Sequence, residues 1–347
     1  MKKKNEKKSK RNRIVLSLLI IGGVIITTCI IGYMYISNTY RGESQWLYVP
    51  GGATDESLKD SLVSRLGDKS GSRVFTMWKV AEGQVKVAHG AYYINSGDKE
   101  LDIARRLKRG QQSPINVTIN NCRTLSQLAS QIADRMEWNE EDFLVACDSV
   151  LPNAGFSQKE YYPAAFFPDT YQFYWSSEPQ RVVKRLLEYR NKFWNDERRA
   201  KAKTLGLNPV KVATLASIVE EETNKVDERP MVARLYLNRL RKSMPLQADP
   251  TVKFAVGDFS LRRINHNHLQ VESPYNTYKH VGLPPGPIRI AEKTTIDAVL
   301  NAPQHSFLYM CAKEDFSGYH NFATDYTTHL NNARRYQSEL NRRKIYK

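Results

Sequence analysis

Cysteine is scarce in this chain of 347 residues: four, at positions 29, 122, 147 and 311, with no Cys-x-x-Cys pair and no metal-ligand spacing. One disulfide at most can form outside the apolar segment that holds Cys29, with Cys122 and Cys147 the nearest pair. No metal and no cofactor is expected. No groove-reading nucleic-acid motif occurs, so the formal net charge of +16 is not a nucleic-acid signature. Residues 14–36 contain no charge at all, and residues 210–219 contain neither proline nor glycine. These last two absences organise the chain.

The uncharged run from Ile14 to Ile36 is rich in Ile, Leu and Val. About 20 such residues span a bilayer as a helix. Residues 1–13 hold eight Lys and Arg against one acid, Glu6, so they carry +7 and leave +9 for the rest. The positive-inside rule places that basic tail in the cytoplasm. The run exceeds a usual signal-peptide core, and no A-x-A site follows, which favours an uncleaved single-pass anchor. Everything after residue 40 then lies on the extracytoplasmic side, where envelope polymers are available and nucleotides are not. The surplus positive charge suits anionic phospholipid or a polyanionic wall.

Residues 37–150 read as small α+β units. Trp46–Val49 is a short strand stopped by Pro50-Gly51-Gly52, and Thr54 or Asp55 caps a helix carrying Leu58, Leu62 and Leu66. Gly90–Ile94 reads as a strand, with Asp98 capping a helix at Leu101–Lys108. Asn116–Ile119 is a strand, and Thr124 caps a helix carrying Leu125, Leu128 and Ile132. The recurrence of strand, polar turn, cap and amphipathic helix is a weak internal repeat. Residues 151–180 are loop-rich and aromatic, centred on Phe167-Pro168-Asp169-Thr170-Tyr171. Residues 180–204 read as one charged amphipathic helix, and Asn208-Pro209 starts the next.

That next helix is central. Val212, Leu215, Ala216 and Val219 recur at helical spacing, and Ala213 and Ile218 add apolar surface elsewhere. A helix apolar nearly all round is buried. It ends in Glu220-Glu221-Glu222. Glu220 is expected at a cavity wall, where lost hydration raises its pKa and fits it to donate a proton. Glu222, about 200° further round the helix, is assigned to structure or a salt bridge. Gln247, Asp249 and Thr251 alternate with apolar or proline neighbours, which in an extended segment sets them on one face. Residues 273–288 are proline- and glycine-rich and read as a fixed loop.

Taken together, the motifs Ala216–Thr223, Leu237–Leu240, Met244–Val252, Ser273–Tyr278, Gly282–Ile288, Gly318–Phe322 and Phe167–Tyr171 resemble the MltG-type (YceG-like) endolytic murein transglycosylases. The resemblance covers roughly residues 45–345. It implies a lyase cutting the β-1,4 bond from MurNAc to GlcNAc within peptidoglycan glycan strands, leaving a 1,6-anhydroMurNAc end and terminating strand elongation. It implies an α+β fold: basic tail (1–13), transmembrane helix (14–36), LysM-like region (37–150) and catalytic domain with a glycan cleft (151–347). It places the catalytic acid on Glu220. Ser217, Asn238, Gln247, Asp249, Thr251, Tyr275, Asn276, Thr277, Tyr278 and His320 become substrate-binding candidates. The partners it implies are the glycan strands, the cytoplasmic membrane, peptidoglycan synthases and elongation or division proteins, and no nucleic acid. The chain departs from the family pattern at Tyr162-Pro163-Ala164-Ala165, where a glutamate-glycine pair is usual, and at Glu221, where lysine is common. A hydrolytic muramidase using Asp249 as a second carboxylate, or a non-catalytic glycan-binding scaffold, are the competing readings.

Overall fold

The structure, a computed structural model, describes residues 2–80, 87–261 and 263–343. Helix α1 (Lys2–Ile36) contains a stretch, Asn12–Ile36, of mean hydropathy 2.8, long and apolar enough to cross a membrane. The chain forms two compact units: residues 1–115 with 174–176, and residues 116–173 with 177–347.

In the first unit, β1 (Gln45–Val49) is followed by α2 (Asp55–Leu66), α3 (Asp68–Val80), β2 (Gly90–Ile94) and α4 (Glu100–Lys108). The two strands pair antiparallel, with Leu47 opposite Tyr92. Thr54 closes a capping box with Ser57, as its position before the apolar-periodic run demands. Leu47, Val49, Leu58, Leu62, Val74, Ile94 and Ile103 form one core. The expected cap at Asp98 is not made: α4 starts after Lys99 without a side-chain cap. Asp98 instead accepts from Asn95 N at 3.0 Å and pairs with Arg106 at 2.5 Å, closing the turn before the helix.

The second unit begins with the same order. Strand β3 (Ile115–Ile119), α5 (Leu125–Ala133), α6 (Glu140–Val150) and β4 (Asp169–Phe173) form a second strand–helix–helix–strand set, with β3 paired to β4. The aromatic stretch read as loop therefore contains a strand. Its aromatics are core: Phe166, Phe167 and Tyr171 are buried. The single helix expected over 180–204 is two, α7 (Pro179–Phe193) and α8 (Asp196–Thr204), because Asn195 leaves the helix and caps the next one at Arg198 N.

Helix α9 (Pro209–Glu222) starts at the Asn208 cap, and every residue from Val212 to Glu220 is buried. It packs against α8 and against α10 (Arg229–Arg241), α11 (Asp249–Val256) and α13 (Lys293–Leu300), while the short α12 (His266–Leu269) packs on α11. Strands β5 (Tyr309–Ala312) and β6 (His320–Ala323) form an antiparallel hairpin backed by α14 (Tyr326–Arg342). The fixed loop at 273–288 has a steric reason for one glycine. A Cβ on Gly286 would stand 1.9 Å from the Glu160 carbonyl oxygen, so only glycine lets the loop lie against that turn. All four cysteines are free thiols, and burial pushes the Cys122 thiol up to about 11.

Candidate active site

The three carboxylates at the end of α9 point in three directions. Glu220 is 3% exposed and turned towards the segment from Ile288 to Thr295. Its Oε2 accepts from Glu292 N at 2.9 Å and from Thr295 Oγ1 at 2.8 Å. Its Oε1 lies 3.1 Å from Arg289 Nη2, an ion-pair distance without hydrogen-bond alignment, so the attraction there is coulombic. Burial raises its pKa, while Arg289 and the two donors pull it back. Glu221 pairs with Arg289 at 2.8 Å and with Arg123 at 2.9 Å. Glu220 is therefore a sealed anchor joining α9 to α13, not a group at a cavity wall.

Glu222 faces the other way, as the 200° step requires. It is part-exposed, and Tyr236 on α10 donates to its Oε2 at 3.1 Å. Desolvation raises its pKa from 4.5 to about 7, with His320 opposing and Asp249 and Glu228 reinforcing the rise. Solvent reaches part of the side chain, yet the desolvation persists because Tyr236, β6 and α11 surround the carboxyl head. Such a group is half protonated near neutral pH, the state a general acid needs.

Around Glu222 stand two polar pairs. His320 Nδ1 lies 2.8 Å from Glu228 Oε2, and His320 N donates to Glu228 Oε1 at 2.7 Å. Burial works against the imidazolium, but the Glu228 bond and charge outweigh it and hold the His320 pKa above its ordinary value. Burial likewise works against the Glu228 carboxylate, yet His320 and Thr223 hold it below the ordinary range. The second pair is Tyr278 Oη donating to Asp249 Oδ1 at 2.6 Å, both with exposed surface.

The remaining sequence candidates divide by burial. Ser217 donates to Thr214 O and accepts from Ile288 N, locking the 282–292 loop to α9. Asn238 donates to the carbonyls of His305 and Phe307 at 2.7 and 3.1 Å, which meets the need of a buried amide. Thr251 and Thr277 bond each other at 2.8 Å, and Asn276 clamps the carbonyls of Leu269 and Val271. These five are buried braces with their bonds spent inside the fold. Gln247, Asp249, Tyr275, Tyr278 and His320 keep accessible surface. The extended face expected for Gln247, Asp249 and Thr251 does not form, because Asp249-Pro250 opens α11 and turns Thr251 inward. Gln247 instead takes a left-handed backbone, φ 52°, and its amide oxygen accepts from Arg239 at 3.1 Å. Tyr236 and Glu228 are not among the residues the sequence singled out, and Glu222 was assigned there to structure or a salt bridge. A tyrosine amid leucines was the available signal, since a buried phenol seeks a partner.

The model of the YceG-like family matches residues 47–335. The chain belongs to the YceG-like family. An endolytic murein transglycosylase of Bacillus subtilis is 28% identical over 288 residues, covering 77% of this chain and 78% of that protein. One from Streptococcus pneumoniae (strain D39) is 25% identical over 336 residues, 86% of this chain, and the chain spans 60% of that relative's length. A crystal structure of a yceG-like protein from Listeria monocytogenes matches with TM-score 0.55 at 24% identity, covering 83% of this chain and 98% of that one. It shares the fold.

Proposed function

We propose that this YceG-like chain is an endolytic lytic transglycosylase of peptidoglycan in which Glu222, not Glu220, is the single acid and base. The observation that carries the assignment is the Glu222 carboxyl: part-exposed, held by Tyr236 and raised to about 7 beside Asp249 and His320. The relatives named endolytic murein transglycosylase support the reaction class.

Glu222 protonates the glycosidic oxygen between MurNAc and GlcNAc, and the C1–O bond breaks. The oxocarbenium-like centre is assisted by the sugar's own N-acetyl group. Glu222, now a carboxylate, takes the proton of the C6 hydroxyl as O6 bonds to C1, closing the 1,6-anhydro ring. No water is consumed, so one carboxyl group suffices where hydrolytic glycosidases use two. Tyr236 fixes the Glu222 rotamer through Oε2. Asp249, Tyr278, Tyr275, Gln247 and His320 offer contacts to sugar hydroxyl and acetamido groups.

Helix α1 anchors the chain in the cytoplasmic membrane as a single pass. The basic tail stays inside and the chain beyond α1 lies outside, where nascent strands and their synthases are. The strand–helix–helix–strand order of the first unit supports the LysM-like reading of that region. Asp249 beside Glu222 makes a hydrolytic muramidase the second reading. Digestion of purified murein decides between them, because anhydro products are one water lighter than hydrolytic ones. Glu222→Gln is expected to abolish either product; undiminished cleavage by that variant refutes the assignment.

A further inference from the structure

Helix α1 ends at Ile36, and the rest of the first unit takes hold of the chain two residues later. Asn38 O accepts from Glu100 N at 3.0 Å, Tyr40 N donates to Asp98 O at 2.8 Å, and Gly97 N donates to Tyr40 O at 2.8 Å. Thr39 pairs with Lys99 in an antiparallel bridge. Tyr40 is itself a core residue, 3% exposed. The Asn38 amide donates back to Met34 O and Tyr35 O, closing the last turn of the helix. Helix and unit are joined by backbone bonds, without a linker that would let the unit swing away.

Length then fixes what the joint meets. Residues 14–36 as a helix measure about 35 Å, a little more than the roughly 30 Å hydrocarbon core of a bilayer. The last turn, with Tyr33 and Tyr35, therefore stands at the interface, where such rings collect. Thr39 lies at most about 11 Å beyond Ile36. The turn at 97–100, bonded to it, meets the headgroup layer. The charges at this joint are unequal. Asp98 is spent on Arg106 and Glu100 on Arg73. Arg41 and Lys99 are exposed, and neither forms an ion pair among the described residues; Glu43 is the exposed acid beside them.

We propose that this joint is a bilayer-docking surface: residues 38–41 and 97–100 seat on the extracytoplasmic headgroups, and Arg41 and Lys99 hold the phosphates of anionic phospholipid. The proposal rests on the reading of α1 as a single-pass anchor and not on the enzymatic reading. Both cations sit on long stems that lie along the protein while the charged ends reach outward. Each basic residue near an anionic surface favours that lipid roughly fivefold. The first unit therefore stands at a fixed height on the bilayer instead of at the end of a tether.

The test uses the full chain in lipid nanodiscs, with Cys29 and Cys311 replaced by serine and a bimane label on Ser96→Cys, in the exposed turn before Lys99. The buried Cys122 and Cys147 stay unlabelled. The probes are phosphatidylglycerol and phosphatidylcholine, each carrying a nitroxide at the top of an acyl chain. Both are expected to quench the label, phosphatidylglycerol roughly fivefold more strongly. The double variant Arg41→Gln, Lys99→Gln is still quenched but no longer distinguishes the two lipids, and Lys99→Arg keeps the preference. The basic tail lies across the bilayer from the label, so its own lipid binding is not read. A label that neither lipid quenches, in chains that have entered the bilayer, overturns the docking. Equal quenching in the wild type, or a preference that survives the double substitution, overturns the role of the two cations. Chains that do not enter the bilayer at all refute the anchor reading and the proposal with it.

Discussion

Replacing Glu222 by Gln keeps its shape and its bond from Tyr236 while removing the charge. The carboxyl is raised from 4.5 to about 7, chiefly by desolvation. Between those values the folded chain holds a proton that the unfolded chain has released, so this group's contribution to stability is full below pH 4.5 and lost as pH rises through 7. The shift corresponds to about 3 kcal/mol as an upper figure. Glu222→Gln escapes that penalty. Its melting temperature is expected to match the wild type near pH 4.5 and to exceed it by roughly 4–8 °C at pH 8. Activity moves the opposite way, falling about 10²–10⁴-fold with the loss of the acid. In the wild type kcat/KM declines above pH 7 as Glu222 ionises. Thermal melts from pH 4.5 to 8.5, alongside murein digestion, read both effects. A melting difference that stays flat across that range refutes the reasoning, because the penalty would then not come from ionising this group.

Other changes separate scaffold from site. Glu220→Gln, whose partners Arg289, Glu292 and Thr295 are internal, is expected to leave activity per folded molecule within roughly tenfold of wild type; product yield normalised to folded protein checks it. His320, raised by Glu228, contributes stability that is complete below pH 6.5 and lost as pH rises through its higher folded value. His320→Asn is therefore expected to cost more at pH 5.5 than at pH 9, by calorimetry. Gly286→Ala drives a Cβ to 1.9 Å from the Glu160 carbonyl and should cost about 1–3 kcal/mol in chemical denaturation. Thr54→Ala removes the α2 capping box and should cost about 1 kcal/mol without changing product yield.

Much of the fold was readable where a local signal had one meaning. Trp46–Val49 before Pro50-Gly51-Gly52 could only be a short strand, and Asn208-Pro209 before an all-round apolar run marked a buried helix. Where a signal had two meanings the reading failed. Asp249-Pro250 suits an extended segment, but Pro250 also suits the first turn of a helix, and α11 forms there. The break at Asn195 was hidden because charged and apolar residues continue across it. Glu220 was expected at a cavity wall and Glu222 in a structural role, whereas the structure buries Glu220 and leaves Glu222 part-exposed. The 200° step correctly separated Glu220 from Glu222, yet periodicity does not tell which side of a fully buried helix meets α13 and which meets solvent. That choice depends on Arg289, Thr295, Tyr236 and His320, all distant in sequence.

The most direct measurement is mass analysis of products from purified murein treated with wild type, Glu222→Gln and Glu220→Gln. Anhydro-ended fragments are expected from wild type and Glu220→Gln, and intact strands from Glu222→Gln. Anhydro fragments from Glu222→Gln, or their loss only in folded Glu220→Gln, would rule out Glu222 as the acid.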